Sequence, residues 1–379
     1  MEAKMKPSSL VIASLIVGCN SSKGEIDDSR CAYAMTLCTI AGTGTSGYND
    51  INIRARDTQL RDPTAIVEDA AGRLLVSDAG NNQIRRFEGD NLMSVIGRNA
   101  RSEAVSGLAS QTPLNYVVDM DFAADGSVLL LEGVGLQLSW VDLDNDQLEV
   151  YASSVGMPEW NSAEVTDIAE IGLIKPTSTA MDEAGNIYVS EAGEGFNMVL
   201  KISPEGEVTK IAGVDESGQP IASTSTDADD AQNYLRNPQG LVWHEGELYL
   251  ADAGRHRIVR IDVETGEAVN IAGVTDAPGY GDGNPLTLTQ LDRPSRFTFS
   301  PDGRLVIADS GNGVIRAELA DGTMETVCGR GSGGYEDGAQ DPEMASLGEP
   351  FDILYDANGD LVFTDRDHAV VRRITQPDW

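Results

Sequence analysis

Short apolar runs alternate with glycine-containing turns along the chain, and one version of this pattern recurs six times. Each copy starts with a Leu or Ile, usually continues with a Pro and an apolar run, and then has a Gly followed six positions later by an acidic residue. Runs of this length, rich in β-branched residues and separated by such turns, predict strands. No helical periodicity extends beyond about two turns. The pattern therefore predicts an all-β protein.

The copies repeat with a period of 54 to 62 residues, measured between successive Pro positions. One copy has Val117 at this position, and two copies have Glu instead of Asp at the acidic position. The acidic positions are Asp78, Glu132, Glu191, Asp252, Asp309 and Asp365. Each copy contains four predicted strands, which is the content of one propeller blade. We therefore predict a six-bladed β-propeller of four-stranded antiparallel blades.

Both ends of the chain indicate that the ring is closed. The sixth copy ends without a fourth strand, whereas a strand at about residues 38–44 precedes the first copy. If this N-terminal strand completes the last blade, no open sheet edge is left there. We predict that residues 38–379 form one propeller closed in this way.

Three segments carry a resemblance to a known family. They are VSDAGNNQIRR, LADAGRHRIVRI and IADSGNGVIRAEL, and a strand similar to TIAG follows each of them. They resemble NHL repeats, and the resemblance spans about residues 38–376. It implies the propeller fold, but relatives of this kind include protein-binding modules, RNA-binding modules and a few lyases and lactonase-like enzymes. The resemblance therefore does not determine the function.

Residues 1–18 read as a targeting segment. Lys4 and Lys6 give a positive start, and an apolar stretch too short to span a bilayer leads to Cys19. This resembles a bacterial lipoprotein signal, which implies cleavage before Cys19 and a lipid on its sulfur, with residues 19–37 as a flexible leash. The alternative is a plain signal peptide and a secreted protein. Either way, we expect the mature chain in the cell envelope or outside it.

Charge and cysteine content narrow the class further. The formal net charge of −34 repels phosphate backbones, so nucleic acid is not an expected partner. If Cys19 carries lipid, three cysteines remain in an oxidising compartment. Cys38 can pair with Cys31 or with Cys328, and we favour Cys31.

Three blade-to-blade loops share a Gly-Tyr-Asp pattern. Its members are Tyr48 with Asp50, Tyr280 with Asp282, and Tyr335 with Asp337. These loops leave neighbouring blades, so the tyrosines are candidates for a binding surface on one half of a face. The alternative is that the pattern is a structural turn.

Basic residues near the Pro positions are candidates for an anion site at the mouth of the central channel. They are Arg61, Lys175, Arg236 and Arg293. The alternative is that they pair with neighbouring acids such as Asp62, Asp292 and Glu349. For the six repeated acids, a metal ring is conceivable, but we favour a structural role in which each accepts hydrogen bonds from turn amides.

Metal catalysis has few candidates. The three histidines, His244, His256 and His368, fall in turns on opposite faces and should not converge, as a zinc site of three His would require. Calcium remains possible, held by Asn115, Asn237 and Glu349 at the channel mouth. The segment with Asp142, Asp144 and Asp146 resembles the start of a calcium loop but lacks its Gly, and is better explained as a solvated hairpin tip.

No nucleophile elbow, metalloprotease helix or phosphate loop is present in the sequence. The leading hypothesis is a lipid-anchored recognition module of the cell envelope that binds a protein, peptide or glycan through its long-loop face, without a cofactor. The first alternative is a calcium-dependent lactonase-like or lyase-like enzyme. The second is a non-catalytic scaffold of the envelope.

Overall fold

A computed structural model of the protein describes residues 34–49, 53–153, 166–167, 173–193, 196–213, 234–331, 334–336 and 340–379. These residues form six small antiparallel sheets arranged as the blades of a β-propeller. The innermost strands of neighbouring blades contact one another around a central axis. The predicted fold is confirmed.

Each blade has four main strands, which we letter A to D from the axis outward. Blade 1 consists of Pro63–Glu68, Leu74–Asp78, Gln83–Glu88 and Asn91–Ile96. Blade 2 consists of Val117–Phe122, Val128–Glu132, Gln137–Asp142 and Gln147–Ser153. Blade 3 consists of Pro176–Met181, Ile187–Gly193, Phe196–Ile202 and Glu207–Ala212. Blade 4 consists of Pro238–His244, Glu247–Asp252, Arg257–Ile261 and Ala268–Ala272. Blade 5 consists of Arg296–Phe299, Leu305–Asp309, Val314–Glu318 and Thr323–Cys328. Blade 6 consists of Pro350–Tyr355, Leu361–Asp365, Val370–Thr375 and Thr36–Ala41.

Four blades also carry a fifth, two-residue strand outside strand D, which the sequence did not predict. These edge strands are Ile53–Arg54, Gly107–Leu108, Thr166–Asp167 and Asn284–Pro285. A short parallel pair joins Arg98–Arg101 to Pro113–Leu114. The 3₁₀ turns are Ala55–Asp57, Ala79–Asn81, Ala109–Gln111, Ala253–Arg255, Leu286–Leu288 and Pro342–Met344. The extra pairing covers part of an otherwise open outer edge of these blades.

The N-terminal strand closes the ring. Thr36–Ala41 pairs antiparallel with Val370–Thr375, so that Thr36 lies opposite Thr375. The strand begins two residues earlier than predicted and ends before the predicted limit at 44. Because both ends of the chain share one sheet, the last blade has the same four-stranded form as the others.

Apolar layers between adjacent blades form the core. Between blades 2 and 3, for example, Leu129, Leu131 and Leu138 pack against Val189 and Leu200, and all five are buried. Central strands covered on both faces read as nearly continuous apolar runs, as in Val128–Glu132, where every residue is buried. This packing holds the inner strands, and therefore the axis, in a fixed arrangement. No helix in the described part of the chain is long and apolar enough to cross a membrane.

Candidate functional site

A funnel opens at the axis on the face formed by the B–C turns and the blade-to-blade loops. Its volume is about 770 Å³, within the usual range for small-ligand pockets. All six blades contribute to its wall. The lining residues are Thr64, Tyr116, Val118, Gly133, Val134, Lys175, Pro176, Thr177, Asn237, Gln239, Ala253, Arg293, Ser295, Ser310, Gly311, Gly348, Glu349, Phe351, Arg366 and Asp367.

The wall is built from the start of strand A in each blade. Residues directly after the Pro positions form a lower tier, and residues directly before them form an upper tier. In the lower tier, Thr64, Thr177 and Ser295 donate hydroxyl hydrogen bonds of 2.7 to 2.8 Å to backbone carbonyls of the next blade. These bonds tie neighbouring blades together at the funnel wall.

In the upper tier or directly beside it, four non-glycine residues have left-handed backbone conformations. They are Asp62, Tyr116, Asn237 and Arg293, with φ between 47° and 62°. Such conformations cost about 1–3 kcal/mol each and persist only where the surroundings enforce them. The repeated acids supply part of that constraint, since Asp252 accepts the Arg236 backbone N–H at 2.8 Å and Asp309 accepts that of Asp292 at 2.7 Å.

Below the funnel, the Arg296 side chain lies across the axis and is almost fully buried. Its guanidinium donates to the backbone carbonyls of Gln239 at 3.0 Å and Thr177 at 3.0 Å. It also lies 3.3 Å from a carboxylate oxygen of Asp119 and 3.8 Å from one of Asp352. One side chain of blade 5 therefore contacts blades 2, 3, 4 and 6, and two of these contacts are to the backbone of the lining residues Thr177 and Gln239.

The acids around Arg296 also connect blades. Asp119 accepts the Ser178 hydroxyl at 2.6 Å and the Thr179 N–H at 2.7 Å, both in the next blade. Asp352 accepts the Ile66 N–H at 2.7 Å. Burial raises the pKa of Asp352 to about 7, although the charge of Arg296 opposes this shift. Burial likewise raises the pKa of Asp121 to about 7, with a further contribution from the charge of Asp119.

The repeated acids fall into two groups. In blades 1, 4, 5 and 6 the acid is Asp and has a buried Arg from strand C beside it. The pairs are Asp78–Arg85 at 2.7 Å, Asp252–Arg257 at 2.9 Å, Asp309–Arg316 at 3.6 Å and Asp365–Arg372 at 3.5 Å. Burial raises the pKa of Asp78, and the adjacent Arg85 charge opposes that shift. Asp78 and Asp252 thus accept hydrogen bonds from a turn amide and an Arg together, whereas Asp309 and Asp365 have their Arg at ion-pair distance.

In blades 2 and 3 the acid is Glu, and no Arg or Lys of the described residues pairs with either side chain. Glu132 accepts the Asn115 N–H at 3.0 Å, and Glu191 accepts the Lys175 N–H at 2.8 Å. Burial raises the pKa of both carboxyl groups to about 7. The strand C position held by Arg85 in blade 1 is occupied by Leu200 in blade 3.

The tyrosines of the Gly-Tyr-Asp pattern cover the buried arginines. The guanidinium carbon of Arg85 lies 5.7 Å from the Tyr48 ring centroid, and Arg316 and Arg372 lie 5.3 Å from those of Tyr280 and Tyr335. Asp282 accepts the Arg316 guanidinium at 2.7 Å; Asp50 and Asp337 lie outside the described residues. Tyr234 covers Arg255 in the same way at 5.5 Å. These contacts support a structural role, while a binding role for the tyrosines stays a prediction.

The predicted basic cluster does not converge as a whole. Lys175 and Arg293 line the funnel, whereas Arg61 and Arg236 are exposed but outside its wall. Arg236 donates to the Gly254 carbonyl at 2.6 Å and pairs with Asp276 at 3.1 Å. The sequence alone did not distinguish two positions of the repeat. Lys175 and Arg293 stand directly before the Pro and line the funnel. Arg61 and Arg236 stand two residues before it, and their backbone N–H groups bind the repeated acid.

The oxygens proposed as calcium ligands all have protein donors. Glu349 binds Arg366 through both oxygens, at 2.6 and 2.8 Å. The Asn115 side-chain oxygen accepts from Arg101 at 3.0 Å, and that of Asn237 from Gln239 at 3.2 Å. Within the described ranges, no group of three His, Cys, Asp or Glu side chains is arranged to hold a metal ion. Calcium binding at this site would have to displace these hydrogen bonds, and it stays a prediction.

The histidines and the calcium-loop-like segment have local partners. His244 stacks on Phe299 with ring centroids 4.1 Å apart, and His368 lies 2.9 Å from Asp365. His256 accepts the Arg293 N–H at 3.1 Å, and burial lowers its pKa. At the hairpin tip, the carboxylate oxygens of Asp142 accept from the backbone N–H groups of Asp144 and Asn145 and from the Asn145 side chain.

A second cleft, of about 1080 Å³, lies on the opposite face between blades 1 and 2. Its wall contains five acids, which are Asp69, Asp125, Asp142, Asp144 and Glu149. The cleft is formed by A–B and C–D turns of only two blades. The funnel, which collects side chains from six blades on a fixed axis, is the better candidate site.

The cysteine prediction is tested only in part. Cys38 is disulfide-bonded, and Cys328 is a buried free thiol, so these two cysteines are not paired with each other. Burial raises the pKa of Cys328 well above its usual range. Cys31, Cys19 and the targeting segment lie outside the described residues.

No family model matches the chain. Protein SUPPRESSOR OF QUENCHING 1 of Arabidopsis thaliana is 23% identical over 296 residues, which is 74% of this chain and 27% of that protein. The chain thus spans about a quarter of the length of this curated relative.

Two solved structures from Bacteroides share the fold. A protein of unknown function from Bacteroides thetaiotaomicron matches with a TM-score of 0.66 and 16% identity, covering 89% of this chain and 75% of that one. An auxiliary nutrient binding protein from Bacteroides ovatus matches with a TM-score of 0.60 and 16% identity, covering 90% and 76%. At this identity the likeness shows the six-bladed propeller fold alone.

Sequence reasoning missed Arg296 and the cluster of Arg366, Glu349 and Phe351. The Arg366 guanidinium binds Glu349 and lies 4.3 Å from the Phe351 ring centroid. One signal was present, because Arg296 is a charged residue in a strand A whose counterparts carry Gly, Ser or Ala at this position in three other blades. An Arg pointing to the axis of a propeller has to find acceptors in other blades.

Proposed function

We propose that the protein is a non-catalytic recognition module of the bacterial cell envelope and binds its ligand in the funnel. The observation that carries this proposal is the funnel itself, a cavity of about 770 Å³ with wall residues from all six blades. Hydrogen bonds between blades hold its wall, and four strained backbone positions surround its mouth. Strain of this kind clusters at functional sites.

The ligand is a free solute or the end of a chain such as a peptide or glycan, because the funnel is too narrow to take a folded protein domain. Attachment through Cys19 places the propeller at a membrane surface with the leash as spacer. The fold likeness to an auxiliary nutrient binding protein supports a binding role. Among the described residues, the polar groups of the wall are mostly engaged with one another, which favours binding over turnover.

The test compares ligand capture by the full-length protein when the funnel is open and when a bulky side chain fills it. Gln239→Trp fills the lower tier, and Gln147→Trp places the same side chain on the opposite face as a matched control. Immobilised protein is exposed to envelope extract, and bound solutes, peptides and glycans are identified by mass spectrometry. We expect a ligand retained by wild type and Gln147→Trp and lost by Gln239→Trp. Equal retention by all three variants would contradict a funnel site.

A further inference from the structure

Lys175 stands out among the cations of the funnel wall. Arg366 is neutralised by Glu349 at 2.6 Å, and Arg293 lies 3.3 Å from Asp292. In contrast, no carboxylate of the described residues lies within ion-pair distance of the Lys175 ammonium, although the chain has 61 acidic residues and only 27 basic ones. In so acidic a protein, a cation without a partner at the wall of a cavity is a candidate for binding an anion.

Part of the funnel wall is apolar. Val118 and Val134 of the neighbouring blade line the same wall, and Val134 is 47% exposed. Glu191 fixes the Lys175 backbone through the N–H bond at 2.8 Å. The Glu191 carboxyl is buried. It forms no ion pair with the Lys175 ammonium. A ligand whose carboxylate reaches Lys175 would therefore find these two apolar side chains in the same funnel.

The total charge of the wall limits the charge of the ligand. Three cations face two carboxylates, Glu349 and Asp367. Asp62 and Asp292 lie just outside the wall, next to Arg366 and Arg293 respectively. These four acids repel a phosphate dianion more strongly than a ligand with a single negative charge.

The same wall offers little to a sugar ring. Sugars and other flat apolar faces pack on open aromatic rings, but the Phe351 ring carries the Arg366 guanidinium at 4.3 Å. Tyr116 donates its hydroxyl to Asp62 and is only partly exposed. The wall therefore favours an aliphatic body over a glycan.

We propose that the funnel binds an apolar ligand that ends in a single carboxylate, with the Lys175 ammonium as its anchor. This is the chemistry of a peptide C-terminus with an apolar last residue, and also of a small aliphatic acid. The inference rests on the proposed function, since it concerns the same funnel. Recognition of a terminal carboxylate is an established mode of peptide binding.

Isothermal titration of the full-length protein tests the inference with four probes. N-acetyl-leucine carries the carboxylate, and its primary amide has the same shape without the charge. A hexapeptide ending in leucine distinguishes a peptide C-terminus from a small acid, and glucuronate provides an acidic sugar. We expect N-acetyl-leucine to bind at least about tenfold more tightly than its amide, as a charged hydrogen bond provides. Tighter binding of the hexapeptide identifies a peptide ligand, and equal binding a small acid.

Three variants assign the effect to one side chain. Lys175→Met should weaken N-acetyl-leucine by about tenfold or more and leave the amide unchanged, while Lys175→Arg should retain most of the binding. Lys201→Met, in the same blade but outside the funnel wall, should bind like wild type. Equal affinity for the acid and its amide, preference for glucuronate, or no binding at millimolar probe would each overturn the inference.

The outcome also separates this inference from the proposed function. If the ligand captured by wild type is lost with Gln239→Trp but kept with Lys175→Met, the funnel is the binding site and the carboxylate anchor is wrong. If neither substitution affects capture, the funnel site itself is wrong.

Discussion

In all six blades the repeated acid accepts a backbone N–H of a turn. The surroundings of this acid differ between blades 1, 4, 5 and 6 on one side and blades 2 and 3 on the other. In the first group an Asp accepts a turn amide while a buried Arg balances it, as in Asp78 with Arg85 at 2.7 Å. In the second group a Glu accepts the same amide, and burial holds its pKa at about 7. Around Glu132 and Glu191 the core is leucine and valine. The turn requires an acceptor, and the fold supplies it either as an ion-paired Asp or as a buried Glu whose pKa is raised.

This difference also divides the funnel. Two of the four Asp blades, blades 5 and 6, supply its paired arginines, Arg293 and Arg366, whereas the two Glu blades supply Lys175, Val118 and Val134. Where the repeat lacks its own Arg, the wall includes two valines and a lysine that forms no ion pair with any of the described residues. The asymmetry of an otherwise repetitive ring is thus a feature that can select a ligand.

The largest effect is expected at Arg296, where the two kinds of blade meet. Arg296→Met leaves Asp119 and Asp352 without their cation and removes the Arg296 hydrogen bonds to three blade carbonyls. We expect the free energy of unfolding to fall by about 5 kcal/mol, at the upper end for a broken buried pair. Guanidinium unfolding at neutral pH measures it. Arg260→Met, which breaks an exposed pair with Glu247, should cost less than about 1 kcal/mol; equal losses would show that Arg296 does not hold the ring.

The next effect compares the two groups of blades directly. Arg85→Met should lower the free energy of unfolding by about 3 kcal/mol, because it leaves the buried Asp78 carboxylate unpaired. Leu200→Met changes the corresponding position of blade 3 and conserves volume, so it should cost less than about 1.5 kcal/mol. Denaturant curves of both variants give the answer. A loss at Leu200 as large as at Arg85 would contradict the distinction between the blades.

A pH dependence should appear at Glu132, as it should at the buried Asp309 and Asp352, whose pKa values burial also raises to about 7. The pKa of Glu132 rises from 4.5 to about 7 on folding, so the folded state holds a proton that the unfolded state has released between these values. Stability from this group is therefore complete below about pH 4.5 and decreases as pH rises toward 7. Relative to wild type, Glu132→Gln should gain about 2 kcal/mol between pH 5 and pH 8. A difference that does not change with pH would mean that Glu132 is ionised in the folded protein.

The smallest effect concerns the tyrosines over the arginines. Tyr280→Leu should cost about 1 kcal/mol through the lost contact with Arg316. Leu288→Ala, at a 64% exposed side chain, should stay within about 0.5 kcal/mol. If Tyr280→Leu leaves stability unchanged but abolishes ligand capture, the tyrosines belong to the binding surface rather than to the framework.

The fold could be predicted from the sequence because a propeller repeats the same local information. The Pro position, the Gly turn and the acid define each blade without reference to the others, and the missing fourth strand predicted the closure by Thr36–Ala41. Edge strands as short as Gly107–Leu108 carry too little pattern to detect.

The site could be predicted only in part. Lys175, Arg293, Asn237 and Glu349 were selected near the channel mouth, and all four line the funnel. Their partners could not be deduced, because these depend on contacts between blades far apart in sequence. Arg296, for instance, reaches the carbonyl of Val118, 178 residues away. Such contacts form only once the ring closes, and no local pattern encodes them.

The most direct test of the account is to locate the bound ligand. Hydrogen–deuterium exchange of the full-length protein is measured with and without the ligand captured from envelope extract. The account predicts protection of the turns that line the funnel, including the segments around Val134, Gly311 and Arg366. Protection of the hairpin tips around Asp125 and Asp144 on the opposite face, with the funnel unchanged, would contradict it.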